Sequence, residues 1–121
     1  MHKRKPIIAI DFDGTIVENN GYEMGLVKKD AVRIIQWIHS WADIIIWTCR
    51  GGKDLEEARL ELVFRVIPFD AINENVHPAG FNPKPKIFYD VLIDDKMLGG
   101  LPSWKETETI LQEFKERWYG E

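Results

Sequence analysis

The 121-residue sequence predicts an α/β fold: a three-layer α/β/α sandwich with a Rossmann-like, mainly parallel sheet, in one domain spanning 1–121. Three observations predict it. Short apolar runs with no polar alternation, Ile7–Ile10, Ile44–Trp47 and Val91–Ile93, read as strands buried on both faces. Segments with apolar residues at helical spacing separate or follow them. Each run also ends in polar residues, and functional sites of parallel sheets lie beyond the carboxyl ends of the strands.

The elements follow in order. Ile7 to Asp11 is the first strand, after Pro6. Residues 14 to 27 carry Gly14, Gly21 and Gly25, which predicts a loop or a small hairpin. Between Lys28 and Trp41, the positions Ala31, Ile34, Ile35, Ile38 and Trp41 form one helical face. Asp43 to Thr48 is the second strand. Asp54 and Glu57 have the spacing of a capping box, opening a helix with Leu55, Ala58, Leu62, Val63 and Val66 on one face. Ala71-Ile72 is a short third strand, and 73 to 85 is a loop with Pro78, Gly80, Pro83 and Pro85. Asp90 to Asp94 is the last strand. Ser103 and Glu106 form a second capping box, starting a helix with Ile110, Leu111, Phe114 and Trp118 inward. Right-handed crossovers then make the sheet parallel.

Composition bounds the function. Hydrophobic residues at 45% and charged residues at 30% describe a globular chain. A net charge of −4 argues against grip on a polyanion as the main activity, so nucleic acid is not the expected partner. The single Cys49 rules out an internal disulfide and a multi-thiolate zinc site. The basic start, Lys3-Arg4-Lys5, precedes an apolar run too short for a secretion signal, and no run is long enough to span a membrane. A cytoplasmic setting without membrane contact is expected.

Three strand ends hold the chemistry. The first reads Asp11-Phe12-Asp13-Gly14-Thr15, the second Thr48-Cys49-Arg50-Gly51-Gly52, and the last Asp94-Asp95-Lys96. Lys84 and Lys86 come just before the last strand. Converging ends would crowd four carboxylates, Asp11, Asp13, Asp94 and Asp95, into one crevice. Like charges that close require compensation. A divalent cation provides it, and an oxygen-only donor set favours Mg²⁺, which keeps several waters and accepts a phosphate partner. The expected reaction is phosphoryl transfer to a carboxylate nucleophile, Asp11. Asp13 would protonate the leaving oxygen and then activate water. Thr48 and nearby backbone N–H groups would hold phosphate oxygens, and a lysine would offset its charge. Gly14 would allow a sharp turn.

These residues resemble the haloacid dehalogenase superfamily, whose members are mostly phosphatases. Its first motif is similar to Asp11-Phe12-Asp13-Gly14-Thr15. Its second is a Thr or Ser ending the next strand, like Thr48. Its third is a lysine ahead of the last core strand, for which Lys84 and Lys86 both qualify. Its fourth is an acid pair after an apolar strand, like Asp94-Asp95. The resemblance covers residues 7 to 95. It implies the roles argued above, an aspartyl-phosphate on Asp11, and a metal held by Asp11, Asp13, Asp94 and Asp95. It also implies that the fourth-motif strand lies beside the first, with the second strand on the other side. The intervals after the first and second motifs leave no room for a cap domain, so a capless member is expected, with a large substrate or a neighbouring subunit of a homo-oligomer covering the site.

The sequence also weighs against related chemistries, and simpler readings compete with this one. Asp13 argues for phosphate over dehalogenation chemistry. Trp47 and Asp54 exclude a P-loop around Gly52-Lys53. Taken singly, Asp-Phe-Asp-Gly can be an ordinary turn, Thr48 a strand former, and Lys84 and Lys86 solvated charges. Cys49 reads first as a buried small residue. Arg50 contacts either a second anionic group of the substrate or solvent. His77 is either a substrate contact or a plain loop residue, and the five tryptophans are mostly core. The competing reading from another class is a phosphate-binding regulatory module acting through a protein partner. A weaker one is an enzyme acting on nucleic-acid ends.

Overall fold

The computed structural model describes residues 4–21, 23–76 and 87–120. Lys84, Lys86, His77 and His2 lie outside the described residues.

The apolar runs become parallel strands. β1 (Ile7–Ile10) is flanked by β4 (Asp43–Ile46) and β6 (Val91–Ile93), and β5 (Ala71–Ile72) adds beyond β4, giving the order β5-β4-β1-β6. All three pairings are parallel, with Ile8 opposite Ile44 and Val91. β1 is buried at every position, as its unbroken apolar run requires. Residues 14 to 27 resolve the choice between loop and hairpin. β2 (Val17–Asn20) and β3 (Glu23–Val27) pair antiparallel as a separate two-stranded sheet.

The helices are α1 (Ala31–His39), α2 (Gly52–Phe64) and α3 (Trp104–Tyr119). Ala31, Ile34, Ile35 and Ile38 of α1 are buried together with Ala58 and Leu62 of α2 and with Trp104 and Leu111 of α3. They share one cluster with Ile8, Ile10, Ile44 and Ile46 of the sheet. The alternate strand positions Ile7, Ala9, Ile45 and Ala71 form a second cluster with Ile87. Val76, Phe88, Tyr89 and Leu92 pack against that cluster. Among the described residues, the second face is therefore covered by irregular chain and not by helices. The third layer of the expected sandwich is not found there.

Other differences have local causes. α2 begins at Gly52, two residues before the expected cap, and Asp54 lies inside its first turn. Its end explains one misplaced apolar residue. Val66 adopts a left-handed φ of 59°, and Ile67 N–H reaches back to the Leu62 carbonyl (2.9 Å). This turn buries Ile67 and leaves Val66 exposed; Val63 is exposed because Ala58 and Leu62 take the buried face of α2. Ile110 of α3 is also exposed, since Thr107 and Leu111 take the inward positions. Trp47 is exposed as well, because β4 ends at Ile46 and the chain turns outward. Trp41, Trp104 and Trp118 are core residues. Among the described residues no helix is long and apolar enough to cross a membrane.

The expected cap on α3 forms in full. Ser103 Oγ accepts from Glu106 N–H (3.1 Å), and Ser103 N–H donates to Glu106 Oε1 (3.3 Å). Ser103→Ala is expected to lower unfolding free energy by about 1 kcal/mol, and Ser103→Asp by much less. Urea titration of the three proteins measures both.

Candidate functional site

The carboxyl ends of β1, β4 and β6 face one side of the sheet, as parallel pairing dictates. An open cavity of about 220 Å³ lies beyond them, lined by Asp11, Asp13, Thr48, Cys49, Asp94 and Asp95. Asn19, from the β2–β3 hairpin, and Lys96 complete its wall. Segments more than 80 positions apart in sequence thus meet at one point.

Asp11, Asp94 and Asp95 each offer an oxygen within 4.8 Å of the others, and all three are half-buried. Three carboxylates gathered this closely are an all-oxygen donor set of the kind that suits Mg²⁺. The electrostatics of the bare protein point the same way. Burial pushes the Asp11 carboxyl up to about 7, helped by its hydrogen bond with Asp95 and the charge of Asp94. Thr15 opposes the shift: its hydroxyl donates to Asp11 Oδ2 (3.1 Å).

Local structure holds this crowding in place. Thr15 is fully buried, and its Oγ also accepts from Asp95 N–H (3.0 Å), tying the end of β1 to the end of β6. Gly14 has φ 83°, and a Cβ there would overlap the Asp95 carboxylate. Lys28 Nζ donates to the Gly14 carbonyl (2.6 Å), and Trp104 Nε1 to the Thr15 carbonyl (2.9 Å). At the end of β4, Thr48 N–H donates to Asn73 Oδ1 (2.8 Å). Thr48 Oγ accepts from Arg50 N–H (3.1 Å), which leaves its hydroxyl hydrogen free to donate.

Several expectations need correction. Asp13 lines the cavity but stands outside the three-acid cluster, because both its oxygens are taken by Arg50. Arg50, expected on substrate or in solvent, is on Asp13 instead, with its side chain only 11% exposed. Its guanidinium is raised above the usual range chiefly by that hydrogen bond. Cys49 is exposed, not buried. Thr15, Asn19, Asn73 and Lys96 had no assigned role in the sequence reading. Thr15 and Lys96 adjoin the acids and could have been suspected. Asn19 and Asn73 reach the site only through folding of the hairpin and of β5.

The Asp11 shift has a sign. A carboxyl raised from an ordinary value near 4 to about 7 binds its proton more tightly folded than unfolded. Metal-free stability is therefore expected to fall as pH rises from about 4 to about 7, and to level off above that. Asp11→Asn should flatten this part of the profile. Thermal unfolding in chelator between pH 5 and 8 measures it; an equal slope in both proteins contradicts the assignment.

No protein-family model matches the chain, and no curated protein matches it either. Among solved structures it is similar to the conserved protein coded by locus from Bacteroides thetaiotaomicron. The two are 32% identical, the match covers 91% of this chain and 92% of that one, and the TM-score is 0.82. With that identity over nearly the full length of both, the chain belongs to the same family as this conserved Bacteroides thetaiotaomicron protein.

Proposed function

We propose that this protein is a Mg²⁺-dependent phosphatase of the haloacid dehalogenase type, hydrolysing a phosphomonoester through an aspartyl-phosphate on Asp11. The observation that carries this reading is the convergence of Asp11, Asp94 and Asp95 within 4.8 Å, with Thr48 and Asp13 lining the same cavity. The order β4-β1-β6 supports it, since the resemblance expects the acid-pair strand on one side of the first strand and the threonine strand on the other.

Mg²⁺ bound among Asp11, Asp94 and Asp95 would supply the positive charge that lets an anionic nucleophile approach an anionic phosphate. The chain's residues do the rest. The Thr15 hydroxyl holds Asp11 Oδ2 and so aims the carboxylate. An Asp11 oxygen attacks phosphorus, and the bond from phosphorus to the ester oxygen breaks. Asp13, protonated from solvent on an oxygen lone pair that Arg50 does not use, gives that proton to the departing oxygen. Asp13 then takes a proton from water as the water oxygen attacks phosphorus. The Asp11–phosphorus bond breaks, and inorganic phosphate leaves. Thr48 donates its free hydroxyl hydrogen to a phosphate oxygen, and Lys96 offsets charge from the end of β6. The cavity is open at one side, which accommodates a substrate larger than the phosphate itself.

Purified protein is expected to hydrolyse at least one ester in a screen of sugar phosphates, nucleotides, phosphorylated lipids and phosphopeptides. Activity should vanish in chelator and return with Mg²⁺. Asp11→Asn should lower kcat by about a thousandfold or more, as removal of a nucleophile does. Undiminished Mg²⁺-dependent turnover in Asp11→Asn would sink the proposal.

A further inference from the structure

Arg50 lies four residues beyond the end of β4 and two after Thr48, immediately before the Gly51 cap and the Gly52 start of α2. Its guanidinium is committed on every side. Nε donates to Asp13 Oδ2 (2.7 Å) and Nη2 to Asp13 Oδ1 (2.8 Å), a two-pronged pairing. Nη1 donates to the Asp54 carbonyl in the first turn of α2 (3.2 Å). The Phe12 ring lies 5.3 Å from the guanidinium carbon. A side chain 11% exposed and held at both ends is built to hold a neighbour in place, not to wait for a ligand.

We propose that Arg50 is the positioning residue for Asp13. It fixes the carboxylate at the cavity wall, where the ester oxygen departs, and keeps it off the three-acid cluster. This rests on the phosphatase reading, which supplies the task of Asp13. The physical need is clear. Asp13 is followed by Gly14 in a left-handed turn, and its side chain has two rotatable bonds. A loose carboxylate two residues from Asp11 would turn toward the same cation. The planar Arg fork takes both oxygens at once and sets the plane of the carboxylate, which a lysine ammonium cannot do. Proton transfer demands hydrogen-bond reach, and a displacement of about 1 Å costs on the order of a hundredfold in rate.

The test compares wild type, Arg50→Ala, Arg50→Lys and Asp13→Asn as full chains with Mg²⁺. Each is measured on p-nitrophenyl phosphate, whose aryl oxygen leaves without help, and on an alkyl phosphate, whose oxygen needs a proton. For both Arg50 variants, kcat on the alkyl ester is expected to fall about a hundredfold. On the aryl ester the fall should stay within about threefold, with KM little changed on either. Arg50→Ala added to Asp13→Asn should cost nothing more, since the two act as one unit. A tenfold rise in KM on both esters with kcat unchanged would make Arg50 a substrate ligand and overturn the proposal. So would equal kcat losses on the two esters, or no loss at all. If Arg50→Ala fails to fold by circular dichroism, Arg50→Lys carries the same comparison. The alkyl ester is one that wild type hydrolyses in the screen above; a wild type that hydrolyses none of the screened esters overturns the phosphatase reading and this role with it, while active wild type with any of the adverse patterns overturns the role of Arg50 alone.

Discussion

Three carboxylates within 4.8 Å of one another repel, and the site end of this molecule is organised around containing that repulsion. Parallel pairing of β1 with β6 puts the ends of both strands on the same side, so Asp11 meets Asp94 and Asp95. In the bare protein, burial first and the neighbouring carboxylates second push the Asp11 carboxyl up to about 7. A bound divalent cation would replace its proton and neutralise the cluster more fully. The same charge that destabilises the bare cluster would favour a bound cation.

Containment is achieved by fastening the backbone around the acids. Thr15 bridges Asp11 and Asp95 with one hydroxyl. Trp104, at the first turn of α3, fastens the carbonyl of Thr15 from the helix layer. The exactness of the capping box therefore bears on the site, because it sets where α3 begins and hence where the Trp104 indole lies. Lys28, at the end of the hairpin, holds the carbonyl of Gly14. Chemistry and scaffold share these residues, so substitutions here change stability and site geometry together.

The opposite end of the sheet uses aspartates in another way. Asp70 accepts from Ile44 N–H (2.7 Å), and Asp90 accepts from Ile7 N–H (2.8 Å). Each immediately precedes one strand and satisfies an amide at the start of its neighbour. Arg4 pairs with Asp90 at 2.9 Å and lies over the rings of Phe88 and Trp118. Here carboxylates are separated and individually matched to donors, and they serve register. At the carboxyl ends of the strands they are concentrated. The contrast lies in their partners, not in residue type.

The sequence by itself determined the strands, the sheet class, the capped start of α3 and the identity of the acids, because these depend on periodicity and on short-range spacing. Ile7–Ile10 is a short unbroken apolar run bounded by Pro6 and Asp11, and Ser103-Trp104-Lys105-Glu106 closes its own hydrogen bonds. Only the tertiary structure decided what each side chain faces. Arg50 and Asp13 are 37 positions apart, and nothing local says that one guanidinium takes both oxygens of that carboxylate. Asn19 reaches the cavity because a hairpin folds over it, and Val66 is exposed because a left-handed turn sends Ile67 inward in its place. Pairings across long loops carry no periodic signal. They are selected by packing and charge balance once the sheet has brought the segments together.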